Sequence, residues 1–216
     1  MVAIGTFTVN PAVDVHGTVD RVVAGRKLRV RDVRRDPGGG GINVARAVVA
    51  LGGEATAIFL AGGPAGDQLR ELLRDAGVHT APVPIEGPTR ENLTVRESDE
   101  DERYRFTMPG PAPSESERAA AREAVIERLD DLDLLVISGS LPEGCPDELD
   151  AELVTAARER DVRTIVHTRG PAPEPALTAG PASPDFIPSS GRGHRHRLPW
   201  KHAGGCSPAR TTEMSK

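Results

Sequence analysis

Two rhythms of apolar and polar residues run through the first 167 positions. Stretches 2–9, 55–61, 79–85, 132–137 and 162–166 predict strands, and the run at 132–137 is nearly all apolar, as in a strand covered on both faces. Between them, 42–51, 67–75, 114–129 and 147–160 predict helices. Gly77 closes the second of these, and Ser114 with Glu117 three places on gives the third a capping-box start. Strands alternating with helices imply an α/β fold on a parallel sheet with right-handed crossovers.

Segments 15–33 and 92–107 follow a different rhythm. Thr94, Arg96 and Ser98 alternate with Val95 and Glu97, and Tyr104 and Phe106 share a face. Half-polar strands do not belong in a sheet buried on both sides, so these segments predict a small second sheet standing over the edge of the first. From 168 onward neither rhythm continues. Eight of the 19 prolines fall in the last 49 residues, with Pro171, Pro173 and Pro175 alternating. That spacing suits neither helix nor strand. The expectation is an α/β domain over 1–167 followed by an irregular Pro-rich tail, 168–216, not native to the fold.

Charge changes at the same place. The tail holds seven Lys/Arg against three Asp/Glu, a net of +4, leaving −9 for the residues before it. The overall charge of −5 argues against nucleic acid as a main partner, because tracking a phosphate backbone needs clustered Lys and Arg. No apolar run is long enough to span a bilayer, and 1–11 lacks a leader pattern, so no membrane partner is expected. Cys145 and Cys206 lie far apart without metal-type spacing, which fits a cytoplasmic setting. His194, His196, His202 and Cys206 match no known ligand spacing, and no metal site is expected there.

The strongest chemical signal is Gly38-Gly39-Gly40-Gly41-Ile42-Asn43, running directly into a helix. Such glycines let a ligand approach backbone N–H groups, and a helix start adds free donors and partial positive charge. Asn43 can both donate to and accept from a hydroxylated ligand. The loop lacks the Gly-Lys-Ser/Thr of a P-loop, and no acidic residue stands about 20 residues on, as a dinucleotide site requires. Asp14 follows the first strand, where parallel sheets place ligands, and its carboxylate can accept from sugar hydroxyls. Arg90, Arg105 and Lys27 lie in or near the small sheet and are suited to phosphate. Ser138-Gly139-Ser140-Leu141-Pro142 ends the buried strand with small hydroxyl residues that suit a ligand-lining turn.

Taken in order, these motifs resemble the ribokinase-like (PfkB) carbohydrate kinases, and within them the phosphofructokinase and tagatose-6-phosphate kinase branch. The matching pieces run from Thr8-Val9-Asn10-Pro11-Ala12-Val13-Asp14 through Gly25-Arg26-Lys27 and the four-glycine loop with Asn43. Thr89-Arg90-Glu91-Asn92, Tyr104-Arg105-Phe106-Thr107-Met108-Pro109-Gly110 and the Ser138–Pro142 turn complete them. The resemblance implies a ribokinase-like parallel sheet flanked by helices, with a β lid that also serves as a homodimer interface. It implies that Asp14, Gly38, Gly39, Gly40 and Asn43 bind a sugar, with Lys27, Arg90 and Arg105 at its phosphate and Ser140 nearby. The implied reaction transfers phosphoryl from ATP, with Mg2+, to a ketohexose phosphate such as fructose 6-phosphate or fructose 1-phosphate.

The family's late Gly-Ala-Gly-Asp segment, whose Asp takes the substrate proton, has no counterpart in the sequence. Ala65-Gly66-Asp67 looks like it but stands too early, and is read as a helix cap. His167 and Arg169 stand where the resemblance implies an acidic and a small hydroxyl residue. After Asp185-Phe186-Ile187 the implied Lys-Pro-Asn/Ser stretch is replaced by Pro188-Ser189-Ser190. The expectation is a truncated or frameshifted kinase with its C-terminal part missing and no catalytic residue. The alternative is a remnant that binds sugar phosphate or dimerises without catalysis.

Overall fold

The computed structural model describes residues 2–99, 102–146, 148–168 and 185–186. Six parallel strands form the main sheet: β1 (Ile4–Thr8), β4 (Ala55–Ala61), β5 (His79–Pro84), β8 (Leu134–Gly139), β9 (Arg163–Thr168) and β10 (Asp185–Phe186). Their order is β10-β9-β8-β1-β4-β5. Strand alternation divides the core into two layers. On β4, Ile58 and Leu60 join Phe7, Val125, Leu129, Leu135 and Leu153 on one side. Ala57 and Phe59 join Ile42, Leu69 and Leu73 on the other. The first layer packs under α3 (Glu115–Ile126) and α4 (Glu148–Arg158), the second under α1 (Gly40–Ala50) and α2 (Gly63–Asp75). Each large apolar side chain buried in full contributes about 1.5–3 kcal/mol.

The small sheet is present. It comprises β2 (Ala12–Val19), β3 (Arg31–Gly38), β6 (Arg90–Glu97) and β7 (Arg103–Phe106), in the order β3-β2-β6-β7. β2 pairs antiparallel with β3 and parallel with β6, and β6 pairs antiparallel with β7. The parallel pair follows from connectivity, since β2 leaves the sheet after β1 and β6 after β5. Val13 is fully buried against the layer of Ile42 and Phe59, and Val15 packs beside it, which seats the lid on the domain.

Two expectations are amended. Ala65, Gly66 and Asp67 do not cap a helix; they lie inside α2, which begins at Gly63 with Pro64 in its first turn. A Gly-Pro-Ala-Gly start reads as loop, yet proline is well placed in a first turn, where its missing N–H is no loss. Gly66 is there because a Cβ would press on the Ala61 backbone and Thr89 Oγ1, both 3.1 Å away. Within the stretch expected to be irregular, Thr168 ends β9 and Asp185–Phe186 pairs with Ile165–Val166 as β10. The remaining tail positions, with Arg169, His194, His196, His202 and Cys206, lie outside the described residues. Among the described residues no helix is long and apolar enough to cross a membrane.

Candidate functional site

Where β1, β8 and β9 end, the lid stands over them and encloses a cleft of about 310 Å3. Its walls include Asp14, Gly39, Gly40, Asn43, Arg90, Arg105 and Ser140, so seven of the nine residues singled out in the sequence converge there. Gly38 stands just behind, where a Cβ would collide with the Asp14 carboxylate. Lys27 is exposed on the connection between β2 and β3 and does not line the cleft.

The glycine loop is a direct junction of strand and helix. Gly39 caps α1 at φ 130°, a backbone conformation that L side chains rarely adopt. At Gly40 a Cβ would overlap Ser138 Oγ and lie 2.6 Å from the Ser138 carbonyl carbon and 2.7 Å from Gly139 N. The first turn of α1 therefore rests on the end of β8, which brings Ser140 and the helix amino end into one cleft. Arg46 Nη1 donates to Pro37 O at 3.1 Å and ties the helix back to β3.

Asp14 is held for accepting hydrogen bonds. Asn92 Nδ2 donates to Asp14 Oδ1 at 2.8 Å, and Asn92 Oδ1 accepts from Met108 N at 3.2 Å, fixing the amide's orientation. Arg90 lines the cleft and also holds backbone in place. Its guanidinium donates to Pro11 O (3.3 Å), Met108 O (3.2 Å) and Asn10 O (3.0 Å), bracing the β1–β2 connection against the segment after β7. On the opposite wall Ser138 Oγ lies 3.2 Å from His167 Nδ1, and Thr8 Oγ1 donates to Ser138 O at 3.4 Å.

Sequence reasoning assigned no role to Asn10, His16, Asn92, Thr94, Thr107 or His167, all of which line the cleft. A period of two counted from Asp14 would have found His16, and the pairing Asp14↔Asn92 would have found the amide. Asp20, hydrogen-bonded to Arg31, raises that guanidinium's pKa, and the Glu102 carboxylate that accepts from Tyr104 raises the phenol's.

The chain belongs to the pfkB family of carbohydrate kinases, whose family model matches residues 1–188. It is similar to the ATP-dependent 6-phosphofructokinase isozyme 2 of Escherichia coli strain K12, at 44% identity over 180 residues, 83% of this chain and 58% of that protein. The isozyme 2 of Mycobacterium tuberculosis strain H37Rv is 41% identical over 165 residues, 76% of this chain and 49% of that protein. The crystal structure of the E. coli phosphofructokinase-2 in complex with fructose-6-phosphate matches with a TM-score of 0.75 at 43% identity, over 82% of this chain and 58% of that one. The fold is therefore the ribokinase-like one, and the chain spans about half to three-fifths of the length of these relatives.

Among the described residues no group of three His, Cys, Asp or Glu side chains is placed to hold a metal ion. The cleft lining combines a carboxylate, amides, hydroxyls and arginines, and the described residues offer no acidic cluster to fit a magnesium–nucleotide complex.

Proposed function

We propose that residues 1–168 form the sugar-phosphate-binding part of an ATP-dependent, phosphofructokinase-type kinase, with fructose 6-phosphate as the ligand of the cleft. The observation that carries this is the convergence of Asp14, oriented by Asn92, with the glycine-opened amino end of α1 and Arg105 around one cleft. A carboxylate and amides suit sugar hydroxyls, and a helix start with an arginine suits a phosphate. The similarity to relatives named as 6-phosphofructokinases supports fructose 6-phosphate ahead of fructose 1-phosphate. ATP and Mg2+ belong to the reading through the family, with no step assigned to them here.

Calorimetric titration with fructose 6-phosphate tests the reading. Binding is expected, and Asp14→Ala is expected to weaken it about 10- to 100-fold, the worth of a hydrogen bond to a charged group. Unchanged affinity in that variant would contradict the assignment. The sequence contains no Gly-Ala-Gly-Asp, so a coupled ADP-release assay of these 216 residues is expected to show no phosphoryl transfer. Turnover that Asp14→Ala abolishes would overturn that expectation. A homodimer through the lid completes the reading: Val23, Leu28, Val30, Val33, Phe106 and Met108 are exposed apolar residues on or beside its strands. Light scattering after size exclusion is expected to give twice the chain mass, and Val33→Lys to reduce it.

A further inference from the structure

The lid presents its cleft side as rows of side chains set by strand register. Asp36, Asp14 and Asn92 lie side by side on β3, β2 and β6. Two residues farther along, about 7 Å, Arg34, His16, Thr94 and Arg105 lie side by side across all four strands. Residues in register on neighbouring strands project from the same face, and Asp14, His16, Asn92, Thr94 and Arg105 all line the cleft. The first row offers carboxylate and amide groups, suited to hydroxyls. The second offers bases and a hydroxyl, suited to an anion.

His16 is at the centre of that second row. Its Nε2 lies 3.4 Å from Asp36 Oδ2, and Arg34 Nη2 approaches the same oxygen at 3.4 Å. A protonated imidazole has two N–H donors, and the carboxylate takes one. The other is the donor an anion in the cleft would meet. Of the three cations expected at a phosphate, Arg90 lines the cleft but donates to three carbonyls, and Lys27 stands outside the cleft. Arg105 lines the cleft with His16 one strand beyond Thr94.

We propose that His16 is a phosphate-contacting residue of this cleft, sharing the ligand's phosphate with Arg105 and Thr94 as an imidazolium, so that affinity falls as pH rises. This rests on reading the cleft as a ketohexose-phosphate site. The charged and titratable groups around His16 are Asp14 on its own strand, Arg34 and Asp36 from β3, and Arg105 from β7. Arg90 opens β6 on the same sheet, and His167 of β9 stands across the cleft. His167 is a second imidazole in the same walls, so the pH dependence is assigned by substitution and not from the wild-type profile alone.

The test is calorimetric titration of the full chain with fructose 6-phosphate at about pH 6.5 and about pH 8.5, both above the second pKa of a phosphate ester, about 6. Wild type is expected to bind roughly fivefold more tightly at the lower pH, the ratio that one pKa unit between free and bound states produces over this window for a group near the usual imidazole range. His16→Gln is expected to bind weakly at both, with the ratio reduced to about two or less, the remainder coming from other groups. His16→Arg carries a fixed charge and is expected to bind tightly at both. A residue with a merely structural part would lose affinity equally in the two variants. Should they do so, or should both keep the wild-type ratio, the inference falls while the sugar-phosphate reading stands. Should wild type bind no fructose 6-phosphate at either pH, both fall. Thermal melts of the variants show whether each is folded at the pH of its titration.

Discussion

Gly39 and Gly40 illustrate how single residues build this cleft. One supplies a backbone angle that other residues resist, and the other lets α1 rest on the end of β8. Gly40→Ala is expected to push the helix start away from Ser138 and Gly139 and to abolish measurable fructose 6-phosphate binding by calorimetry. It should also lower stability by about 1–3 kcal/mol, the range for overpacking a tight site. Arg90→Ala should act on stability as well as on affinity, because it removes the donor from three carbonyls that hold the β1–β2 connection. A denaturant midpoint lower by the equivalent of about 1–3 kcal/mol is expected. Asp14, Asn43 and the glycines were legible in the sequence because residue type and position next to a predicted helix or strand already define their chemistry. His16, Thr94 and His167 were not, because their placement depends on which strands pair and in what register. Arg90 was legible as a site residue but not in its bracing part, since a guanidinium looks alike in sequence whether it faces phosphate or carbonyls.

At the scale of elements, α3 shows a local signal carried through intact. Ser114 Oγ accepts from Glu117 N at 3.3 Å, and Glu117 Oε2 accepts from Ser114 N at 2.6 Å, closing the capping box. Glu117 Oε1 also accepts from Glu86 N at 2.6 Å, which joins the helix start to the segment after β5. The backbone N–H groups of Glu86 and Ser114 hold the Glu117 carboxyl below the usual carboxylate range. A carboxylate with a lowered folded-state pKa stabilises the fold above its unfolded pKa and ceases to do so as pH falls through the folded value. The difference in melting temperature between wild type and Glu117→Ala is therefore expected to be full near neutrality and to shrink below about pH 4. Ser114→Ala should cost about 1 kcal/mol. The start of α2 was missed because two glycines and a proline weigh against helix in any local reading. Packing of Gly66 against Ala61 and Thr89 outweighs that preference.

For the whole molecule, the strand-helix alternation was enough to read the parallel sheet, and the half-polar rhythm was enough to read a separate lid. The strand order and the mixed pairing within the lid were not legible, because they depend on contacts between distant segments. Both helical layers pack on one sheet, so they should unfold together. Leu69→Ala on one face and Leu153→Ala on the other are each expected to cost about 2–5 kcal/mol and to keep a single calorimetric transition. Two separated transitions would show that the layers are independent. The parallel pairing of β2 with β6, running from Ala12↔Arg90 to Val19↔Glu97, also constrains how this chain can change in length. Because side chains alternate faces, a residue added between β1 and β2 that slid β2 one place against β3 and β6 would swap every inward position for its outward neighbour. Val13 and Val15 would be carried toward the cleft, and Asp14 and His16 into the apolar seat. Insertions that shift this register should be tolerated only in even steps, a parity rule that a library of one-, two- and three-residue insertions at 9–11 would reveal as alternating loss and retention of folded protein.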